Sequence, residues 1–174
     1  MGRPEVTGNS ALARAGARRA KPYPYRSCGL DGIFLLNGYE TREHDGEAHV
    51  VIKDLDGLHL AIGRHLVLSR QELSPRELRF LRKTLDLSQA ELAEKLGNTS
   101  QSIARWEKGE VTIPGPAEKL LRAYFLARIL TAPVDLETLR RLIVEGLEEL
   151  DAADEGTRPV KFRLTRHWAA TRAA

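Results

Sequence analysis

The sequence predicts an α+β protein, mainly α, with a five-helix domain between a small N-terminal β-hairpin region and a basic C-terminal tail. Three observations predict it. From Ser74 onward, apolar stripes at helical spacing alternate with capping serines and stopping glycines. Before Ser74, β-rich apolar runs are separated by polar, Gly-containing stretches. At both ends the chain turns basic and loses any sustained apolar period.

Residues 1–24 are rich in Ala, Arg, Gly and Pro, which predicts a disordered basic arm closed by Pro22 and Pro24. Residues 25–70 predict a hairpin plus a short helix. Ile33-Phe34-Leu35-Leu36, closed by Asn37-Gly38, is expected to pair with Val50-Val51-Ile52 across a polar loop from Glu40 to Glu47. Leu58, Ile62, Leu66 and Leu68 then place a short helix at about 58–68.

The 71–131 stretch carries the firmest signals. Ser74-Pro75-Arg76-Glu77 is a capping box with proline at the first helical position, and Leu78, Leu81 and Leu85 form the stripe behind it. Ser88-Gln89-Ala90-Glu91 repeats the device, with Leu92, Ala93 and Leu96 inward and Gly97 as the stop. Thr99 caps a third helix with Ile103 and Trp106 inward, ended by Gly109. Pro114-Gly115-Pro116 introduces a fourth, at about 116–130, carrying Leu120, Leu121, Tyr124 and Phe125.

Ala132-Pro133 breaks that helix, and Asp135 caps a fifth within 132–156. Its stripe of Leu136, Leu139, Ile143, Leu147 and Leu150 has two readings: closing the core, or pairing with its twin in a homodimer. Residues 157–174 read as a basic tail, although Val160 to Leu164 alternates like a strand that would add to the N-terminal hairpin or to a partner's sheet.

Residues 1–26 and 158–174 each carry a net +5, so the overall +3 leaves −7 for the middle. Basic arms commonly follow phosphates, and as commonly are plain solvated ends. No apolar run is long enough to span a bilayer, and the first residues hold no apolar stretch of signal-peptide length. A single cysteine, Cys28, fits a reducing, cytoplasmic setting and cannot build a thiolate zinc site. The five histidines (44, 49, 59, 65 and 167) show no metal-ligand spacing, and no nucleophile-elbow motif occurs. The expectation is therefore no enzyme, no metal and no cofactor.

Three short capped helices joined by a sharp Gly97 turn are the material of a helix-turn-helix. The stretch L-S-Q-A-E-L-A-E-K-L-G-N-T-S-Q-S-I-A-R-W-E-K-G resembles the Xre/Cro/C1 class of repressors. The wider phrases Y-R-S-C-G-L-D-G-I-F-L-L-N-G-Y, E-L-R-F-L-R-K and A-R-W-E-K-G resemble DNA-binding regulators related to the MqsA (YgiT-type) antitoxins. With only Cys28 present, the paired C-x-x-C zinc module of those antitoxins is absent, and Asn98 stands where the class has an apolar residue.

The resemblance implies a dimer on palindromic double-stranded DNA, acting as a repressor of its own operon. It places Ser100, Gln101 and Arg105 on base edges, where Gln suits adenine and Arg suits guanine. It places Gln89 on a phosphate; Thr99, Ser102 and Lys108 are further phosphate candidates. It aligns Arg82 and Glu107 with a partly buried ion pair of the scaffold. The plainer roles are as helix-start residues for Gln89 and Ser100 and shielding of Trp106 for Arg105. A rival reading is an antitoxin-like or adaptor module that holds a toxin-like protein through Phe34 and Tyr39 of the N-terminal region.

Overall fold

The computed structural model describes residues 21–44, 47–69, 72–129 and 159–171. The helix expected at 132–156 lies outside the described residues, as does the arm before residue 21. Four strands open the described chain: β1 (Tyr23–Pro24), β2 (Ile33–Leu35), β3 (Tyr39–His44) and β4 (Glu47–Ile52). Five helices follow, α1 (Leu55–Ser69), α2 (Pro75–Thr84), α3 (Gln89–Lys95), α4 (Ser100–Lys108) and α5 (Gly115–Ile129). Two further strands close it, β5 (Val160–Leu164) and β6 (Trp168–Thr171).

The hairpin has different partners from those expected. β4 pairs antiparallel with β3, a strand drawn from the stretch read as polar loop. β2 instead sits inside a four-stranded sheet of order β1-β2-β5-β6, parallel to β5 and antiparallel to β1. The reason lies in the apolar run itself. Ile33 and Leu35 are both buried, and a nearly continuous apolar run suits a strand flanked on both edges better than one arm of an exposed ribbon. The polar β3 needs only backbone pairing, so it left no apolar pattern to read. Pro24, expected at the end of the arm, belongs to β1 and sits on the sheet edge, where its missing N–H costs no ladder bond.

The segment read as a basic tail supplies half of that sheet: Val160 to Leu164 is a strand, as its alternation predicts, and it joins the N-terminal region beside β2. Phe162 is fully buried beneath α1, where His65 meets its ring edge-on. Asn37 mimics a backbone unit, accepting from the Leu164 N–H at 2.7 Å and donating to its carbonyl at 2.8 Å. The Trp168 indole donates to the Lys53 and Asp54 carbonyls, tying the C-terminal hairpin to the start of α1.

α1 is longer than expected and packs against α2, α5 and β6, so it joins the helical core to the sheet. Gly63 makes its contact with α5 possible: a Cβ there would lie 2.2 Å from the Phe125 ring. Gly63→Ala is expected to lower stability by about 1–3 kcal/mol, because overpacking outweighs the gain in helix propensity. Thermal or urea unfolding reads this directly, and adding Phe125→Leu is expected to return part of the loss.

The capping boxes at Ser74/Glu77 and Ser88/Glu91 are both formed, and Gly109 closes α4 in the left-handed region at φ 74°. Leu78, Leu81, Leu85, Leu92, Ala93, Leu96, Ile103 and Trp106 are buried as their spacing predicts. α5 buries only part of its apolar set. Leu120 is 47% exposed and Tyr124 only half-buried, while Glu118 and Arg122 are buried beside Leu121 and Phe125.

Candidate nucleic-acid interface

α4 divides cleanly by side. Ile103 and Trp106 anchor its underside in the core, and Ser100, Gln101, Arg105 and Lys108 are exposed. At 100° per residue those four fall within one face, opposite the anchors. Thr99 caps the helix, its hydroxyl accepting from the Ser102 N–H at 3.1 Å and meeting the Ser102 hydroxyl at 3.0 Å. The exposed strip thus carries one hydroxyl residue, an amide and two cations, with the Thr99 cap at its start, all groups able to meet base edges or phosphates.

The α3–α4 connection positions the strip. Gly97 takes φ 62°, and the Asn98 N–H bonds to the Ala93 carbonyl. Asn98 also donates its side-chain amide to the Leu96 carbonyl at 2.8 Å. A polar residue is therefore satisfied where the class carries an apolar one.

A charged network behind α4 fixes its angle. Arg82 of α2 grips Glu107 with two parallel bonds, Nε to Oε1 at 2.5 Å and Nη2 to Oε2 at 3.0 Å. Its Nη1 donates to the Leu87 carbonyl at 2.7 Å, at the turn into α3. The side chains are 11% and 4% exposed, so the partly buried ion pair implied by resemblance is present, with most of both side chains out of solvent. Gln89 donates to the same Glu107 carboxylate at 2.9 Å, which places its amide inside the scaffold and leaves its second N–H and its oxygen for other partners. Burial pushes the Glu107 carboxyl up, but hydrogen bonds from Arg82 and Gln89 and the charges of Arg82 and Arg79 outweigh it. The carboxyl ends below its ordinary value.

One neighbour was not singled out from the sequence. Glu110, just past Gly109, lies 3.6 Å from Arg105 and 3.7 Å from Lys108. All three are exposed, so these contacts are weak and readily exchanged for a phosphate. Phe34 and Tyr39, expected as exposed apolar contacts, are half-buried, and the Tyr39 ring lies 4.9 Å from that of Tyr23.

A short helix laid across a second by a glycine turn, its outer face polar and its inner face locked, defines a helix-turn-helix protein. Residues 78–124 match the helix-turn-helix family model, and this domain is of the Xre/Cro/C1 type. The chain therefore carries a DNA-binding regulatory domain. No curated protein and no solved structure matches the chain. Among the described residues, no helix is long and apolar enough to cross a membrane.

Proposed function

We propose that the chain is a sequence-specific transcriptional regulator that binds palindromic operator DNA as a homodimer and represses by occupying it. The observation that carries the reading is the exposed strip on α4, held outward by buried Ile103 and Trp106 and braced by the Arg82–Glu107–Gln89 network. Ser100, Gln101 and Arg105 read bases. Thr99, Ser102, Lys108 and the free valences of Gln89 meet phosphates. One such helix spans only a few base pairs, so two-fold pairing on a palindrome supplies the remaining specificity. The antitoxin-like alternative relied on exposed Phe34 and Tyr39, and their half-burial favours the DNA reading.

Selection of bound sequences from a random duplex pool tests this. A palindrome with half-sites about one helical turn apart is expected, with affinity falling steeply as salt rises. Recovery of no preferred sequence would sink the proposal. Arg105→Ala is expected to cost about 1–3 kcal/mol on the selected site and little on random duplex. Equal losses on both, measured by fluorescence anisotropy, would make Arg105 a phosphate contact instead.

A further inference from the structure

An open groove of about 440 Å³ lies between the Ser27–Gly29 loop and the outer face of α2, away from the α4 strip. That volume falls in the range of small-molecule sites. One wall is cationic. Arg76, Arg79 and Lys83 follow one another at spacings of three and four, which places them on a single helix face. Arg76 is paired with Asp31 at 2.9 Å. Arg79 and Lys83 are exposed and make no ion pair within 4 Å among the described residues, and one turn of helix between them, about 6 Å, lets both reach one anionic group.

The remaining surfaces are of a different kind. His59 and Phe80 meet edge to face with ring centroids 5.5 Å apart. The Tyr25 hydroxyl, 2.8 Å from His59 Nε2, locks the imidazole in place. Burial holds His59 below its ordinary value against the opposing charge of Asp56, so it serves as a neutral ring. Ser27 and Thr84 add hydroxyls at the rim.

We propose that this groove binds a small aromatic anion, a flat ring carrying a phosphate or carboxylate group. The ring lies against the half-buried His59, with the 6% of Phe80 that is exposed forming the floor, and the anionic group sits between Arg79 and Lys83. The concave shape, walled on both sides, suits a small molecule better than the convex backbone of a duplex. Arg79 also acts on Glu107 through space, so an anion neutralising Arg79 changes the field at the Arg82–Glu107–Gln89 brace. That last consequence rests on the DNA reading; the binding site itself does not.

The test is titration of 1-naphthyl phosphate into the full chain, followed by its fluorescence. Saturable one-to-one binding is expected with Kd of about 1 mM or below, and about tenfold weaker binding for 1-naphthol or inorganic phosphate alone. The double variant Arg79→Ala/Lys83→Ala is expected to weaken binding at least about tenfold. Both residues are exposed, so its melting temperature should stay near that of the wild type. Ser27→Trp fills the groove without altering charge and is expected to block the probe; it also serves if the double variant does not fold. Absence of saturation at about 10 mM, or equal binding by the folded variants, overturns the proposal. So does displacement of the probe by random-sequence duplex in a salt-sensitive manner, which would assign the groove to DNA phosphates. None of the expected results requires an operator to exist, so failure of the repressor reading is distinguishable from failure of this one.

Discussion

Replacing Arg122 with methionine is expected to lower the unfolding free energy by about 3–5 kcal/mol, the usual cost of stranding one member of a buried pair. Arg122 donates to Glu118 one turn earlier on α5 through both Nε, at 2.9 Å, and Nη2. Its Nη1 reaches across to α1, donating to the carbonyls of Leu66 at 3.2 Å and Val67 at 2.9 Å. Those carbonyls lie in the last turn of α1. Glu118 also accepts from the Leu73 N–H at 3.2 Å, so one pair ties the end of α1, the following linker and α5 together. Methionine keeps the aliphatic stem but leaves a buried carboxylate and removes the donor to the Leu66 and Val67 carbonyls. Converting both residues, Arg122→Met/Glu118→Met, should recover much of the loss, because no buried charge remains. Urea denaturation at neutral pH reads both, and a single variant within about 1 kcal/mol of wild type would remove the pair from any structural role.

Arg82→Met is expected to cost a similar amount, about 3–5 kcal/mol, and to carry a second consequence. Among the described residues Glu107 would keep Gln89 as its hydrogen-bond partner and Arg79 as a more distant charge, and the angle between α2 and α4 would lose its clamp. Operator affinity should fall even in conditions where the variant is fully folded, whereas a purely structural pair would leave the folded fraction's affinity unchanged. The acid response has a defined sign. Glu107 has a folded pKa depressed below its unfolded value, so its contribution is fully present above the ordinary carboxylate range. It is lost as pH falls through the depressed folded value. The stability gap between wild type and Glu107→Gln should accordingly be wide at neutral pH and close in acid. A gap that stays constant from neutral pH into strong acid would falsify the linkage.

Much of the helical domain was legible because its signals are local. Ser74, Ser88 and Thr99 cap the next few residues whatever else surrounds them, and Gly97 and Gly109 take positive φ where other side chains are strained. The stripe from Leu78 to Trp106 follows the 3.6 period with one side buried. Ser100, Gln101 and Arg105 emerge on the outer face for the same reason, as the remainder after Ile103 and Trp106 point inward. Gln89 was legible as a helix-start residue, but its bond to Glu107 depends on two helices meeting and has no signature in its own neighbourhood.

Of the long-range pieces, the strand pattern of Val160 to Leu164 was legible, with the N-terminal region as one of its two possible partners, but most of the rest was not. Ile33 to Leu36 reads equally well as a hairpin arm or as an inner strand, and nothing near it names a partner more than 120 residues away. Leu120 and Arg122 differ by two positions on α5, and nothing in their spacing says that the arginine is buried and the leucine exposed. An arginine enters a core only when a carboxylate and free carbonyls are waiting there, and those come from Glu118 and from the end of α1. The cationic wall of α2 shows the same division. Its spacing is plain in the sequence, but only the approach of the Ser27–Gly29 loop makes it one side of a groove.

By itself, then, the order of amino acids determined where the capped helices start and stop and which side of each faces inward, since those outcomes are decided within a turn or two of chain. Which strand lies beside which, which charges are buried, and how the helices brace α4 were decided only when distant segments packed. Burial rewards or penalises a side chain according to what meets it, and that is a property of the whole fold.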